Sequence, residues 1–303
     1  MYNNYITIAY ISDDYYCQHM GVSIISLFEN KNADTIIKIY IINCGISNEN
    51  LAKINLIAKK YKTNFTYINV NINDFNDYSK SFHLNHTVYF KMMLAKLINE
   101  DKFIYIDSDT IITKDLLELF HCNLENYSIG GAKAQNELNH IKKYPNEFYN
   151  LYINTGILLI NKNNWNKNNL TNIILNFAKN NPDKMPLLDQ DAINFTCQDK
   201  IKIIDKKFNF EVHHFLPILT KIKYKKELNK NKICVIHFIG RIKPWSFLYN
   251  GPFKKQYKKY LKLSPWYNYR YPDFNLWILI KKIYFFIFPV YFTKFFIYFK
   301  KLI

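Results

Sequence analysis

Phe103-Ile104-Tyr105-Ile106 runs without a polar interruption into Asp107-Ser108-Asp109, and no other segment constrains the fold as tightly. Four consecutive apolar residues bounded by polar ones read as a buried strand. Open α/β sheets bind their ligands beyond the carboxyl ends of their strands, which is where these two acids fall. Residues i and i+2 of an extended chain point to the same side, so Asp107 and Asp109 are placed to hold one cation together. Two hard oxygen ligands suit Mg²⁺ or Mn²⁺, which complete their shells with water and substrate phosphates. A strand ending in such a clamp points towards an enzyme that handles a nucleotide diphosphate. The competing reading is structural: Asp109 caps a helix entered at Thr110, and Asp115 opens another at Leu116-Leu117.

The flanking pattern is that of an α/β domain. Residues 6–11 predict a first strand ending at Ser12-Asp13-Asp14, followed by a helix through Val22 towards Phe28. A second strand over residues 36–42 stops at the turn Asn43-Cys44-Gly45. Ser47 then opens a helix with Leu51, Ile54, Ile57 and Ala58 at helical spacing, and residues 65–70 predict a third strand. A loop over residues 74–86 leads to a helix over 88–98 and so to the Asp107 strand. Strand and helix alternate, which is the mark of the class. Further on, short strands are expected at 128–132, 153–160 and 234–239, with an acidic helix start at Asp189-Gln190-Asp191. There is no internal repeat and no Gly/Ser linker.

Composition sets the outer limits. A chain of 303 residues with 49% hydrophobic content can bury a large core. Its five cysteines are scattered and form no C-x-x-C pair, which argues against a disulfide scaffold or a zinc site and fits a reducing compartment. Met1-Tyr2-Asn3-Asn4-Tyr5 has neither the basic start nor the apolar core of a secretory signal. The net charge of +17 is confined to one end. Residues 1–220 hold 22 lysines against 22 acids, whereas residues 221–303 hold 19 lysines and arginines against Glu227 and Asp273. Such an end seeks an anionic partner.

Six short motifs stand in a telling order: Ser12-Asp13-Asp14 with Tyr16; Gly45-Ile46-Ser47; Tyr105 to Asp109; Asn154-Thr155-Gly156; Asp189-Gln190-Asp191; and His237-Phe238-Ile239-Gly240 with Lys243-Pro244-Trp245. Together they resemble the family-8 retaining glycosyltransferases, most closely the bacterial lipooligosaccharide galactosyltransferases, over roughly residues 5–250. The resemblance implies a GT-A-type α/β fold with a mixed central sheet. It implies a UDP-sugar donor and a Mn²⁺ cofactor, with Mg²⁺ as the alternative, held by Asp107, Asp109 and His237. An imidazole beside oxygen ligands suits manganese. Gly240 and Lys243 would meet the donor diphosphate, and Asp13 and Tyr16 the uracil ring. Ser108, Asn154, Thr155 and Lys91 would complete the donor site, with lysine at 91 where the family often has arginine. Asp189 and Gln190 carry the catalytic expectation, Gln190 lying beside the anomeric carbon. Two bland readings stay open from sequence: Asp13 as a helix cap and His237 as a core histidine.

The resemblance divides the chain into a catalytic domain over residues 1–250 and a basic, aromatic extension over 251–303. Within the extension, the uncharged stretch 283–293 is eleven residues long and contains Pro289. A spanning helix needs about 20 apolar residues, so attachment to an anionic membrane surface is expected instead of a crossing. Lysines interleaved with aromatic rings suit the headgroup level. No nucleic-acid-binding motif accompanies the charge. The expectation is therefore a retaining hexosyltransferase, peripheral on the cytoplasmic face of the inner membrane, that moves galactose or glucose to a lipid-linked saccharide of lipopolysaccharide type. The rival expectations are a UDP-sugar hydrolase using the same site and a non-catalytic membrane-binding member of the fold.

Overall fold

In the computed structural model, residues 4–79, 86–135, 151–214, 218–229 and 232–287 are described. The expected loop residues 80–85 and the tail from 288 onward lie outside them. Two sheets organise the described residues. The larger has the order β3-β2-β1-β4-β7-β6-β8, built from Tyr5–Ser12 (β1), Ile36–Asn43 (β2), Phe65–Asn69 (β3), Lys102–Ile106 (β4), Ile129–Lys133 (β6), Ile153–Asn161 (β7) and Ile201–Ile204 (β8). The smaller has the order β5-β10-β9, from Thr110–Ile112 (β5), Phe210–Val212 (β9) and Val235–Phe238 (β10).

The large sheet is mixed because β7 runs antiparallel to both neighbours, while β1 is parallel to β2 and to β4. The chain builds outward from β1 through β2 to β3, then returns to lay β4 on the opposite side of β1. That reversal is the topological switch point where open α/β sheets form their clefts. Alternation along the strands explains the apolar runs. Ile6, Ile8 and Tyr10 of β1, with Ile104 and Ile106 of β4, join one core cluster. Ala9 and Ile11, with Phe103 and Tyr105, join the other. Both faces are covered, so neither parity can be polar. Each isoleucine so buried contributes roughly 1.5–3 kcal/mol.

Asp14–Asn30 (α1) follows β1 and is buried continuously from His19 to Leu27. Its outer side is covered by the helix Lys254–Lys262, through Tyr257, Tyr260 and Leu261. Trp266, also buried, donates from Nε1 to Asn50 at 3.1 Å. The packed body therefore extends past residue 250, to about Tyr269, because aromatic residues recur among the lysines on one face of this segment.

The segment expected as a helix over 88–98 is instead a 3₁₀ stretch, His86–Met93, with one α turn at Leu94–Leu97. The tighter winding buries Tyr89, Phe90, Lys91 and Met92 in succession, and a 3₁₀ run of this length often marks a functional or strained segment.

His19 sits at the centre of the helix packing. Its ring stacks on Trp245 at 3.5 Å between centroids, and its Nδ1 lies 2.7 Å from the Tyr257 hydroxyl. Burial, helped by the Lys243 charge and opposed by Asp109, pushes the imidazole down to about 3. The unfolded chain keeps a value near 6.5 and binds the proton first. Stability from this group is complete above pH 6.5 and is lost as pH falls towards 3. Urea unfolding of His19→Phe between pH 6 and 4 is expected to show a slope shallower than wild type by up to ~1.4 kcal/mol per pH unit. Equal slopes would mean that His19 is protonated in the folded chain.

Candidate active site

The chain passes from the large sheet to the small one through Asp107-Ser108-Asp109. β4 ends at Ile106 and β5 begins at Thr110, so these three residues bridge the sheets. Asp107 N–H donates to Gly156 O at 2.8 Å on the large-sheet side, and Phe238 N–H donates to Asp109 O at 3.0 Å on the small-sheet side. Antiparallel pairing sets His237 opposite Thr110, which delivers the imidazole to the two carboxylates. The helix-cap reading of Asp109 is thereby overturned, since Thr110 enters a strand.

The three side chains form a cluster whose ligand atoms lie within 4.8 Å of one another. His237 Nε2 is 3.3 Å from Asp109 Oδ1 and 3.8 Å from Asp107 Oδ2. Every one of these groups is tied by its other polar atom. Asp107 Oδ1 accepts from the Tyr105 hydroxyl. Asp109 Oδ2 is 2.6 Å from the Lys243 ammonium, and His237 Nδ1 is 2.9 Å from Asn209 Oδ1. Asp109 Oδ1 is buried and, among the described residues, has no hydrogen-bond partner. Burying a carboxylate oxygen unpaired is costly, and a cation among these atoms removes the cost. Two carboxylates and an imidazole also match the preferences of a first-row divalent ion. The residues present thus fit a divalent cation.

The charges are mutually adjusted. Burial acts to raise Asp109, but Lys243 and His237 hold it well below the usual carboxylate range. Burial acts to lower His237, and the carboxylates of Asp109 and Asp107 outweigh it and raise the imidazole. Burial raises the Tyr105 phenol, and the Asp107 charge adds to the effect, so the hydroxyl stays a donor.

Around the cluster, a cleft of about 260 Å³ is lined by Asp13, Tyr16, Lys91, Asn154, Thr155, Asp189, Gln190, Gly240 and Lys243, among others. The predicted site residues converge on it from β1, the 3₁₀ stretch, β4, β7, the helix Asp189–Thr196 and the turn after β10. Asp13 is a helix cap, its Oδ1 accepting from Tyr16 N at 2.9 Å, and it also lines the cleft. Tyr16 stands edge-on to Trp245 and to His19. Ser108 is buried beside the end of β1, with its hydroxyl 3.3 Å from Ile11 O.

Lys91 is 4% exposed, 2.6 Å from Asp189 Oδ2 and 3.5 Å from Asp107 Oδ1. Burial acts to lower it, but the two carboxylates prevail and raise the ammonium. Burial raises the Asp189 carboxyl, with Lys91 acting against it. Thr155 adds hydrogen bonds to Asp189 at 3.0 Å and from its backbone N–H to Gln190 Oε1 at 3.3 Å. Gln190 Nε2 donates to the Tyr152 hydroxyl at 3.2 Å. Leu188, just before Asp189, has φ 46°, a left-handed conformation that costs a leucine about 1–3 kcal/mol. Strain of this kind is held where a helix start must aim its side chains, here into the cleft.

Sequence reading passed over Asn209 and Tyr152, and gave Tyr105 no role. Tyr105 is adjacent to the acids and was open to detection. Asn209 lies 28 residues before His237 and has no local signal.

Gly156 is set by close approach. A Cβ there would lie 2.1 Å from His237 Cε1 and 2.6 Å from Nδ1. Such overlap forces the ring or the strand to shift, at a cost of about 1–3 kcal/mol. Gly156→Ala is therefore expected to lower unfolding stability by that amount and to shift the His237 ring signals in NMR spectra. An unperturbed His237 in a stable Gly156→Ala protein would refute the packing.

An α/β sheet with a carboxylate–imidazole cluster at its switch point, beside a cleft, has the make-up of a metal-assisted enzyme site. The chain belongs to glycosyl transferase family 8, whose family model matches residues 7–248, and it is a glycosyltransferase. It is 25% identical to general stress protein A of Bacillus subtilis over 87% of this chain and 96% of that one. It is 25% identical to the lipopolysaccharide 1,2-glucosyltransferase of Escherichia coli over 86% and 79% of the two chains. Its fold matches the crystal structure of galactosyltransferase LgtC in complex with donor and acceptor sugar analogs. The TM-score is 0.73 at 21% identity, covering 86% of this chain and 96% of the other. The fold is therefore of GT-A type, as the motifs led one to expect.

Proposed function

We propose that the chain transfers galactose or glucose from a UDP-sugar to a lipid-linked saccharide, with retention and with Mn²⁺ as its cation. The observation that carries this reading is the convergence of three kinds of group on one cleft: a carboxylate and an aromatic ring at Asp13 and Tyr16, a candidate cation cluster at Asp107, Asp109 and His237, and polar side chains at Asn154, Thr155, Asp189 and Gln190. Asp107, Asp109 and His237 would hold the cation, whose chemistry there is to neutralise charge on the departing nucleoside diphosphate. Lys243 offers the diphosphate a second positive charge. Gly240, at φ 83°, shapes the turn that lets backbone approach it. Asp13 accepts the uracil N–H beside its cap bond, since a carboxylate keeps further acceptor capacity. Asp189, steadied by Lys91 and Thr155, and Gln190, steadied by Tyr152, fix the sugar while the acceptor attacks the anomeric carbon.

The acceptor class is supported by the lipopolysaccharide glucosyltransferase among the relatives. Attachment to an anionic membrane is supported by the C-terminal surface. Trp277 is 80% exposed and Leu276 72%, with Phe274 and Ile280 also exposed. Lys282 lies over Phe247, and Lys254 and Lys258 lie over Tyr271. Burial, with the charges of Lys282 and Lys258 and against the pull of Asp273, pushes Lys254 down to about 7. Among the described residues no helix is long and apolar enough to cross a membrane. The peripheral placement proposed is the cytoplasmic face of the inner membrane, where nucleotide sugars and anionic lipid meet.

UDP release measured across a panel of nucleotide sugars is expected to depend on Mn²⁺ and to select one UDP-hexose. Asp107→Ala and Asp109→Ala should each reduce it by more than about 100-fold, because even partners outside the ligand set cost 10–100-fold. Unchanged Mn²⁺-dependent release in both variants would remove the site assignment, and release indifferent to any acceptor would favour a hydrolase. Deleting residues 274–303 removes five lysines along with Trp277. At about 1 kcal/mol per lysine near the surface, sedimentation with phosphatidylglycerol vesicles should fall by more than tenfold while turnover of a soluble acceptor persists. Equal sedimentation by the truncated chain would dispose of the anchor.

A further inference from the structure

A neutral imidazole has one lone pair, and its tautomer decides which nitrogen carries it. His237 turns Nε2 towards Asp109 and Asp107 and Nδ1 towards Asn209, whose Oδ1 is 2.9 Å away. Asn209 is 1% exposed and its orientation is not arbitrary. Its Nδ2 donates to Asn154 Oδ1 at 2.8 Å and to Asn154 O at 3.3 Å. Asn154 Oδ1 is itself fixed as an acceptor by Gly156 N–H at 2.9 Å. Two carbonyl oxygens on one side require the NH₂ of Asn209 to face them, so its oxygen must face His237. An oxygen there accepts a hydrogen, which assigns the proton to Nδ1.

We infer that Asn209 is a positioning residue for the transferase. It locks His237 as the Nδ1–H tautomer, with the Nε2 lone pair held ready for a divalent cation, and Asn154 keeps Asn209 from flipping. This is the arrangement by which an outer hydrogen bond aims a histidine ligand. The short strand β9 makes it possible: β9 pairs with β10, so the residue preceding β9 falls beside the His237 ring. The inference rests on reading Asp107, Asp109 and His237 as a cation site, and it assigns Asn154 a structural duty in addition to any sugar contact.

The test has two readouts. Long-range ¹H–¹⁵N spectra of the metal-free protein at pH 9 should show His237 protonated at Nδ1, and Asn209→Ala should lose that preference. A wild-type His237 with its proton on Nε2 and a bare Nδ1 overturns the inference whatever the metal does. Mn²⁺ binding followed by electron paramagnetic resonance should weaken by about 10–100-fold in Asn209→Ala. It should weaken less in Asn209→Asp, which keeps an acceptor for Nδ1–H although it loses the bonds donated to Asn154. An Asp variant as weak as the Ala variant, with both folded by urea unfolding, reduces Asn209 to a packing residue and overturns the inference. If wild-type protein binds no Mn²⁺, the cation-site reading fails, while the tautomer spectrum still decides the role of Asn209.

Discussion

The structure depends on one pinned crossing. Between β4 and β5 the chain leaves the large sheet for the small one, and its backbone is held on both sides, by Gly156 and by Phe238. That crossing places Asp107 and Asp109 between two sheets instead of on either. A carboxylate pair in the middle of a sheet would have to be neutralised or expelled. At a seam between sheets, both keep access to a cleft while most of their surroundings stay apolar. The pairing of β10 with β5 then brings His237 to the same point without any further device.

The electrostatics of the cleft follow from that placement. Two ammonium groups, Lys91 and Lys243, flank the carboxylates from opposite elements, and each is largely buried. In the metal-free state they satisfy charges that a cation and a diphosphate would otherwise meet. Breaking such buried pairs costs several kcal/mol, whereas exchanging one partner for another of like charge costs far less. A site assembled this way stays folded when empty and remains receptive. The strain at Leu188 belongs to the same economy, since it is tolerated where Asp189 and Gln190 must point inward.

The small sheet and the C-terminal segment act as the closing wall. Trp245, following Lys243, packs between Tyr16, His19 and Tyr257, so the basic turn is clamped to α1. The helix Lys254–Lys262 covers α1 from outside. The lysine-rich segment thus serves two environments along one stretch: its aromatic face completes the core, and Phe274, Leu276, Trp277 and Ile280 turn to solvent.

Local signals were sufficient for the strands that end in motifs. Apolar runs at β4 and β7, and runs broken only by Thr7 in β1 and Lys38 in β2, suit a sheet covered on both faces, and the acids after β4 follow from strand geometry. The α/β class and the acid pair were therefore legible from local pattern, whereas His237 and the residues around the cleft came into view only through the resemblance of six motifs to a family. Three short strands were not legible. Thr110–Ile112, Ile201–Ile204 and Phe210–Val212 hold three or four residues each, too few for a period to emerge. With them went the existence of the small sheet, the crossing at Asp107–Asp109 and the neighbourhood of Asn209. The sequence by itself determined which residues can ligate, donate and accept. The tertiary structure decided which atom of each faces the cleft, because that depends on hydrogen bonds between residues far apart in the chain, such as Asn154, Asn209 and His237.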